Sequence, residues 1–349
     1  MNTIKRITYR AIERPLRTLF STSLGKKTVM RSVIIKITLD DGRSVLGEVP
    51  TSFVLKHETV PNILAILKTI APRFLGRPAE DSFSAEISQM RKKYPDNPMT
   101  ASGFEIALFR AALASKNISE HKYWGAKTRR IETDITIPFI TDADDLDKWM
   151  RYVMRLGFRI YKVKVSGDIE ADLKLLSLVR DYLANRFDYF TIRVDGNQGY
   201  TRQSYLKMAD LVQKHRFDLE LFEQPLPKHD YDGLKFVKKR SPIPIILDET
   251  VFCGEDAERV VDRDLGHGIN IKFAKSGIAE SEKIFKIARR SKLTLMVGCM
   301  TETMVGLSAG IYCAAGTDAF DYIDLDGVFF LHQRSATHPI QIKAPEFVL

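Results

Sequence analysis

The alternation of apolar and polar positions changes character twice along this chain. Residues 32–39 (SVIIKITL) form a β-rich run, and Asp40-Asp41-Gly42-Arg43 supplies a turn into 44–48. With 3–10 they predict a three-stranded antiparallel meander. Helical periodicity follows over 58–75, 83–93 and 100–116. From about residue 133, short apolar runs alternate with helical stretches. Strands are predicted at 134–139, 160–165, 191–194, 219–222, 244–247, 269–271, 294–297 and 321–323. Helices at 144–156, 169–185, 204–215 and 281–292 lie among them. Eight strand–helix units of about 25–30 residues predict a (β/α)8 barrel of the α/β class. An open doubly wound sheet shares this alternation, but no GxGxxG follows the first strand.

Composition narrows the functional classes more than the fold. A chain of 349 residues, 44% hydrophobic and 28% charged, can bury a large core without staples. The first sixteen residues hold basic side chains but no apolar run, so no secretory signal is expected. No uncharged stretch reaches the length of a bilayer span, and the expected location is cytoplasmic. Cys253, Cys299 and Cys313 are odd in number and widely spaced, which predicts buried reduced thiols. The net charge of +9 comes from 53 basic and 44 acidic residues. The basic residues fall in short scattered clusters, at 26–27, 91–93, 238–240 and 289–290. With no long basic run, zinc-finger spacing or RNP-type motif, neither nucleic acid nor membrane is an expected partner.

The candidate chemistry lies where the barrel strands end, the face on which barrel enzymes build their sites. The second strand ends in Lys162-Val163-Lys164, the third in Asp195-Gly196-Asn197, the fourth in Glu223-Gln224 and the fifth in Asp248-Glu249. The sixth ends in Lys272 and the eighth in Asp324-Leu325-Asp326. Each residue alone has a simpler explanation, as a helix cap or a solvated side chain. Six such residues on six strands of one barrel form a set. Carboxylates converging from adjacent strands repel unless a cation neutralises them, and an oxygen-rich site suits Mg²⁺. A lysine on either side could take or return a proton from opposite faces of a substrate. The cation and the other lysine would lower a lysine's pKa towards working pH.

These segments resemble the enolase superfamily, and within it the muconate-lactonising subgroup. The matching stretches are YKVKVSGD (161–168), VDGNQGY (194–200), LFEQPL (221–226), ILDET (246–250), NIKFAKSGI (270–278) and VGCMTET (297–303). The spacings agree as well: 31 residues from Lys164 to Asp195, then 28 to Glu223, 25 to Asp248 and 24 to Lys272. The resemblance implies a (β/α)8 barrel at 128–329 and an α+β capping domain at 1–127. It also implies a tail, 330–349, that returns to the cap. It makes Asp195, Glu223 and Asp248 ligands of Mg²⁺ and Lys164 and Lys272 the acid/base pair. Lys162 would lie near the substrate carboxylate and help lower the pKa of Lys164, with Asn197 beside the metal ligands.

Asp324 and Asp326 look like the Asp-x-Asp signature of the dipeptide epimerases, where they would receive the N-terminal ammonium of a dipeptide. The cap loops 20–27 and 49–58 would choose the side chain. In epimerases of the L-Ala-D/L-Glu type a basic residue in the first loop meets the glutamate carboxylate. Here Gly25 aligns with it, followed by Lys26 and Lys27. Gly25, Lys26 and Met300 are candidate substrate contacts. Arg110 replaces an Asp common among relatives and is expected to be structural. The function implied is Mg²⁺-dependent epimerisation of a dipeptide's second residue, with a small-molecule dipeptide as partner and homo-oligomerisation left open. The alternatives sharing this site are a cycloisomerase, an o-succinylbenzoate synthase or an N-acylamino acid racemase. An acid-sugar lyase would place a histidine base where Lys272 and Cys299 stand. A non-catalytic metal-binding or interaction protein would have no use for both candidate bases.

Overall fold

The computed structural model describes residues 2–81, 83–332 and 338–349. Strands β1 (Ile4–Thr22) and β2 (Gly25–Leu39) form a long antiparallel hairpin, and β3 (Ser44–Pro50) pairs with β2. Both hairpin strands outrun the apolar pattern. Past residue 10 the segment stays extended because its backbone groups are paired with β2 as far as Thr22 opposite Gly25. The register shifts between Pro15 and Phe20, just past a proline that has no N–H to donate. The segment anticipated as a free loop at 20–27 is therefore the hairpin tip.

Helices α1 (Val60–Ile70), α2 (Ser84–Lys93) and α3 (Pro98–Ser115) pack on this sheet. They bury Ile63, Leu67 and Phe104 in one cluster with Val33, Ile35 and Ile37. The helix expected to reach residue 75 ends at Ile70, and a 3₁₀ turn over Ala71–Phe74 contains Pro72, whose ring cannot donate to the turn before it. A short helix α4 (Glu120–Tyr123) leads out of the cap.

Arg110, on α3, fastens these parts together. Its guanidinium donates to Glu120 Oε2 at 2.8 Å, to the Leu46 and Val305 carbonyls at 2.9 and 2.7 Å, and to Ser308 Oγ at 2.8 Å. That is the structural part anticipated for it.

After β4 (Arg130–Glu132) the chain runs through eight parallel strands: β5 (Ile135–Ile137), β6 (Ile160–Lys164), β7 (Thr191–Asp195), β8 (Leu219–Glu223), β9 (Ile245–Leu247), β10 (Gly268–Lys272), β11 (Thr294–Gly298) and β12 (Tyr322–Asp324). They are hydrogen-bonded in sequence order. The helices between them are α5 (Ala143–Arg155), α6 (Ile169–Ala184), α7 (Arg202–Lys214), α8 (Tyr231–Lys238), α9 (Gly254–Arg263), α10 (Phe273–Arg290) and α11 (Met304–Thr317). The barrel closes through three bonds between its first and last strands. Asp134 N–H donates to the Ile323 carbonyl at 3.2 Å, Leu325 N–H to Thr133 Oγ1 at 2.7 Å, and Thr136 N–H to Asp326 Oδ2 at 2.6 Å.

Alternation along each strand divides the residues between two faces. Tyr161, Val163, Val194, Phe222 and Val297 join the core beneath the helices. The out-of-step Leu221, Ile246 and Met296 form a small apolar cluster of their own. Above them, on the same inward face, come the charged residues.

α10 starts earlier than the periodicity indicates. It carries a break at Gly277 (φ +71), where a Cβ would meet Glu105 Oε2 at 2.1 Å.

The tail divides its contacts. Leu331 bridges to Leu16, and His332 N–H donates to the Pro15 carbonyl, so its start touches the cap. Its strands β13 (Gln341–Lys343) and β14 (Glu346–Val348) instead pair with β4, and Phe347 is buried in the barrel core. Part of the tail, 333–337, lies outside the described residues. Among the described residues no helix is long and apolar enough to cross a membrane.

Candidate active site

The strand ends bring Lys162, Lys164, Asp195, Glu223, Asp248, Lys272, Asp324 and Asp326 to one end of the barrel, all buried. A cavity above them is walled by the cap: Phe20, Thr22, Leu24 and Lys27 from the hairpin, and residues 51–54 from the second cap loop. Lys164 and Lys272 line this cavity from β6 and β10, and the three strands between them carry the carboxylates.

Each of these carboxylates except Asp326 is drawn to a lysine. Lys164 Nζ donates to Asp195 Oδ2, and Lys162 Nζ to Asp324 Oδ2, with Glu223 Oε2 a further 3.2 Å partner. Lys272 Nζ donates to Asp248 Oδ2 at 2.7 Å and stands 3.9 Å from Glu223 Oε1. Burial works against the charged form of both Lys162 and Lys272, yet their carboxylate neighbours hold them well above the ordinary lysine range.

The carboxylates respond unequally. Burial, then the charge of Glu223, pushes Asp195 up to about 6. Burial opposes ionisation of Glu223 too, but Lys162 and Lys272 bring it down to about 2. Asp248 is lowered as well, by Lys272 and Lys275 against the effect of burial.

The three carboxylates fit a hard cation. They sit on adjacent strands, with Asp195 directly opposite Glu223 in the register. Beside them, Asn197 Oδ1 and Glu249 Oε2 are buried oxygens with no hydrogen-bond partner among the described residues. An all-oxygen donor set with spare buried acceptors is the chemistry a divalent ion of the Mg²⁺ type takes. Asn197 stands beside these carboxylates. Its backbone is left-handed (φ +38), its N–H donates to Asp195 Oδ1 at 2.8 Å, and its amide donates to Glu249 Oε1 at 3.1 Å.

Asp324 and Asp326 both line the cavity. Lys162 takes Asp324 Oδ2, and the Thr136 N–H takes Asp326 Oδ2. Asp324 Oδ1 is buried without a partner among the described residues, and Asp326 Oδ1 has Cys299 Sγ at 3.8 Å. Asp326 opens the 3₁₀ turn Gly327–Phe330, but its side chain makes no capping bond there. Neither aspartate is spent on a helix cap.

The cap-loop candidates need correcting. Lys26 is exposed and does not line the cavity. Strand alternation turns Lys27 inward instead, between the rings of Phe20 and Phe53 at 5.8 and 5.5 Å. Gly25 is likewise outside the lining and serves packing, since a Cβ there would meet Phe53 Cδ1 at 2.9 Å. Met300 does line the cavity.

Three further residues were given no role from the sequence. Asn270 Nδ2 donates to Glu223 Oε1 at 2.7 Å, Lys275 Nζ donates to Asp248 Oδ1 at 2.6 Å, and Glu249 is held at about 8 by burial and Asp248. Asn270 was recoverable, because it lies two residues before Lys272 and so on the same strand face.

The chain is similar to known proteins over most of its length. Residues 145–348 match the model of the enolase C-terminal domain-like family. An L-Ala-D/L-Glu epimerase of Francisella tularensis subsp. novicida is 31% identical over 318 residues, covering 90% of this chain and 88% of its own. A hydrophobic dipeptide epimerase of Citrifermentans bemidjiense is 31% identical over 337 residues, covering 94% of this chain and 90% of its own. Among solved structures, a dipeptide epimerase of Enterococcus faecalis complexed with Mg and the dipeptide L-Leu-L-Tyr is similar with a TM-score of 0.88. It is 26% identical and the match covers 99% of this chain and 97% of that one.

Proposed function

We propose that this chain, which belongs to the enolase C-terminal domain-like family, is a dipeptide epimerase that inverts the α-carbon of the second residue. The observation that carries this reading is the placing of Lys164 and Lys272 on strands flanking the three that bear Asp195, Glu223 and Asp248. A substrate lying over those carboxylates has a lysine on each side. One amine takes the α-proton, breaking the C–H bond, and the other ammonium delivers a proton to the opposite face, forming the new one. Asp195, Glu223 and Asp248 would hold Mg²⁺, which when bound supplies a positive charge for the negative charge that builds up on the substrate carboxylate.

The other groups supply orientation. Asp324 Oδ1, which has no donor among the described residues, and Asp326 Oδ1, which faces the Cys299 thiol, are suited to a substrate ammonium, which favours a free dipeptide over an N-acylated amino acid. Lys27 makes no ion pair within 4.0 Å among the described residues, and it is framed by two phenyl rings. That end of the cavity suits a side chain with a carboxylate on an apolar stem, such as glutamate. The cap and tail boundaries given above, 1–127 and 330–349, remain part of this reading.

The test is a library of L,L-dipeptides and their N-acetyl forms incubated with Mg²⁺ in D₂O and read by mass for deuterium gain at the α-carbon. Deuterium in free dipeptides alone is the expected result. Faster exchange in N-acyl amino acids would replace this reading with an N-acylamino acid racemase.

A further inference from the structure

The barrel holds a third buried acid that the proposed reaction leaves unused. Asp134, the residue before β5, has no exposed surface, and one of its oxygens lies within 4.8 Å of oxygens from Asp324 and Asp326. Its Oδ2 accepts from Arg193 Nη1 at 2.8 Å. Its Oδ1, like Asp324 Oδ1, is buried with no hydrogen-bond partner among the described residues.

The counter-charges facing this trio are few. Arg193 serves Asp134 but also Glu220 at 2.6 Å, and Lys162 serves Asp324 but also Glu223 at 3.2 Å. Cys299 beside Asp326 brings a thiol, which burial and the two aspartates keep protonated. Among the described residues the three carboxylates therefore share two hydrogen-bonded cations, each committed elsewhere too, with Lys272 acting on Asp324 from further off. Buried carboxylates in such excess favour a further cation at their centre.

We propose that Asp134, Asp324 and Asp326 form one cation-receiving cluster, with Asp134 as the positioning residue that makes it select a free primary ammonium. This rests on the dipeptide reading above. Asp324 and Asp326 line the cavity and Asp134 does not, so Asp134 acts through them. Burial and the charge of Asp324 push the Asp134 carboxyl well above the ordinary range, and a cation arriving at the cluster favours its ionised form. A primary ammonium brings a unit charge and N–H donors to the two lining carboxylates, of which Asp324 Oδ1 lacks a donor among the described residues. An acylated nitrogen brings no charge, and a quaternary one no donor.

Asp134→Asn keeps the shape and removes the charge. KM for a free dipeptide should rise roughly 10-fold with kcat and Mg²⁺ affinity kept within about twofold. In the wild type, ammonium chloride should compete with the dipeptide while tetramethylammonium chloride at equal ionic strength does not, and the variant should lose most of that competition. If the wild type epimerises free dipeptides but Asp134→Asn matches it in KM and in ammonium competition, the cluster is overturned and the dipeptide reading stands. If the wild type turns over no free dipeptide, both fall. Should the variant not fold, the wild-type salt comparison decides alone, since equal effects of the two salts overturn the cluster.

Discussion

Lys272 Nζ lies 2.7 Å from Asp248 Oδ2 across the neighbouring strands β10 and β9. A proposed base thus rests on a proposed metal ligand, and Lys164 does the same to Asp195. A divalent cation must share or take over the oxygens these ammonium groups now hold, so metal binding and the placing of both bases are one event.

Glu223 is the middle one of the three proposed ligands and bonds both Lys162 and Asn270. Glu223→Gln removes a charge from the ligand set and should weaken Mg²⁺ binding by about 100-fold or more, with nearly all activity lost. Calorimetric titration with Mg²⁺ measures the first, and epimerisation assays the second. Wild-type turnover that survives EDTA would remove the metal from the reaction.

The two lysines should separate under isotope exchange. Lys164→Ala and Lys272→Ala should each abolish epimerisation, because one face of the α-carbon loses its proton carrier. Each variant should still exchange the α-proton of one stereoisomer in D₂O, and the two should choose opposite isomers. Unimpaired epimerisation in either variant refutes the two-base scheme.

Replacing both Asp324 and Asp326 by asparagine should raise KM for a dipeptide roughly 30- to 1000-fold, the equivalent of about 2–4 kcal/mol from two carboxylates facing an ammonium. Mg²⁺ affinity should change far less, since neither is a proposed ligand. N-acetylation of the substrate should cost the wild type a similar factor and the double variant much less.

Burial, opposed by Glu302, lowers the pKa of Lys27 to about 8. Lys27 carries its charge below that pH and loses it above, so preference for an acidic over an isosteric neutral dipeptide should fall as pH rises from 7 to 9. Ratios of kcat/KM for glutamate and glutamine dipeptides across that range give the measurement. Lys27→Met should show a low ratio at every pH, and a pH-independent high ratio in this variant would clear Lys27 of the role.

Arg110→Ala should be among the costlier changes outside the cavity. It leaves Glu120 buried without its cation and frees two carbonyls and a serine, at a cost of about 3–5 kcal/mol in denaturant unfolding. Adding Glu120→Gln should recover part of that loss.

Periodicity and strand-end chemistry were enough for much of this protein. All eight barrel strands lie within a residue or two of the predicted runs, because a strand buried under helices must be apolar on one face whatever surrounds it. Lys164, Asp195, Glu223, Asp248 and Lys272 were legible for the same reason, since a charge ending an apolar strand faces the barrel mouth. The sequence by itself did not determine how far the hairpin extends, as backbone pairing between distant segments holds residues 11–22 and leaves no apolar signature. Nor did it separate Lys26 from Lys27, because adjacent strand residues face opposite ways and only the docking of the hairpin decides which one points inward. Tertiary structure alone also brought Asp134 against both Arg193 and Asp324: Asp134 precedes β5, the others lie on β7 and β12, and only barrel closure makes β5 and β12 neighbours.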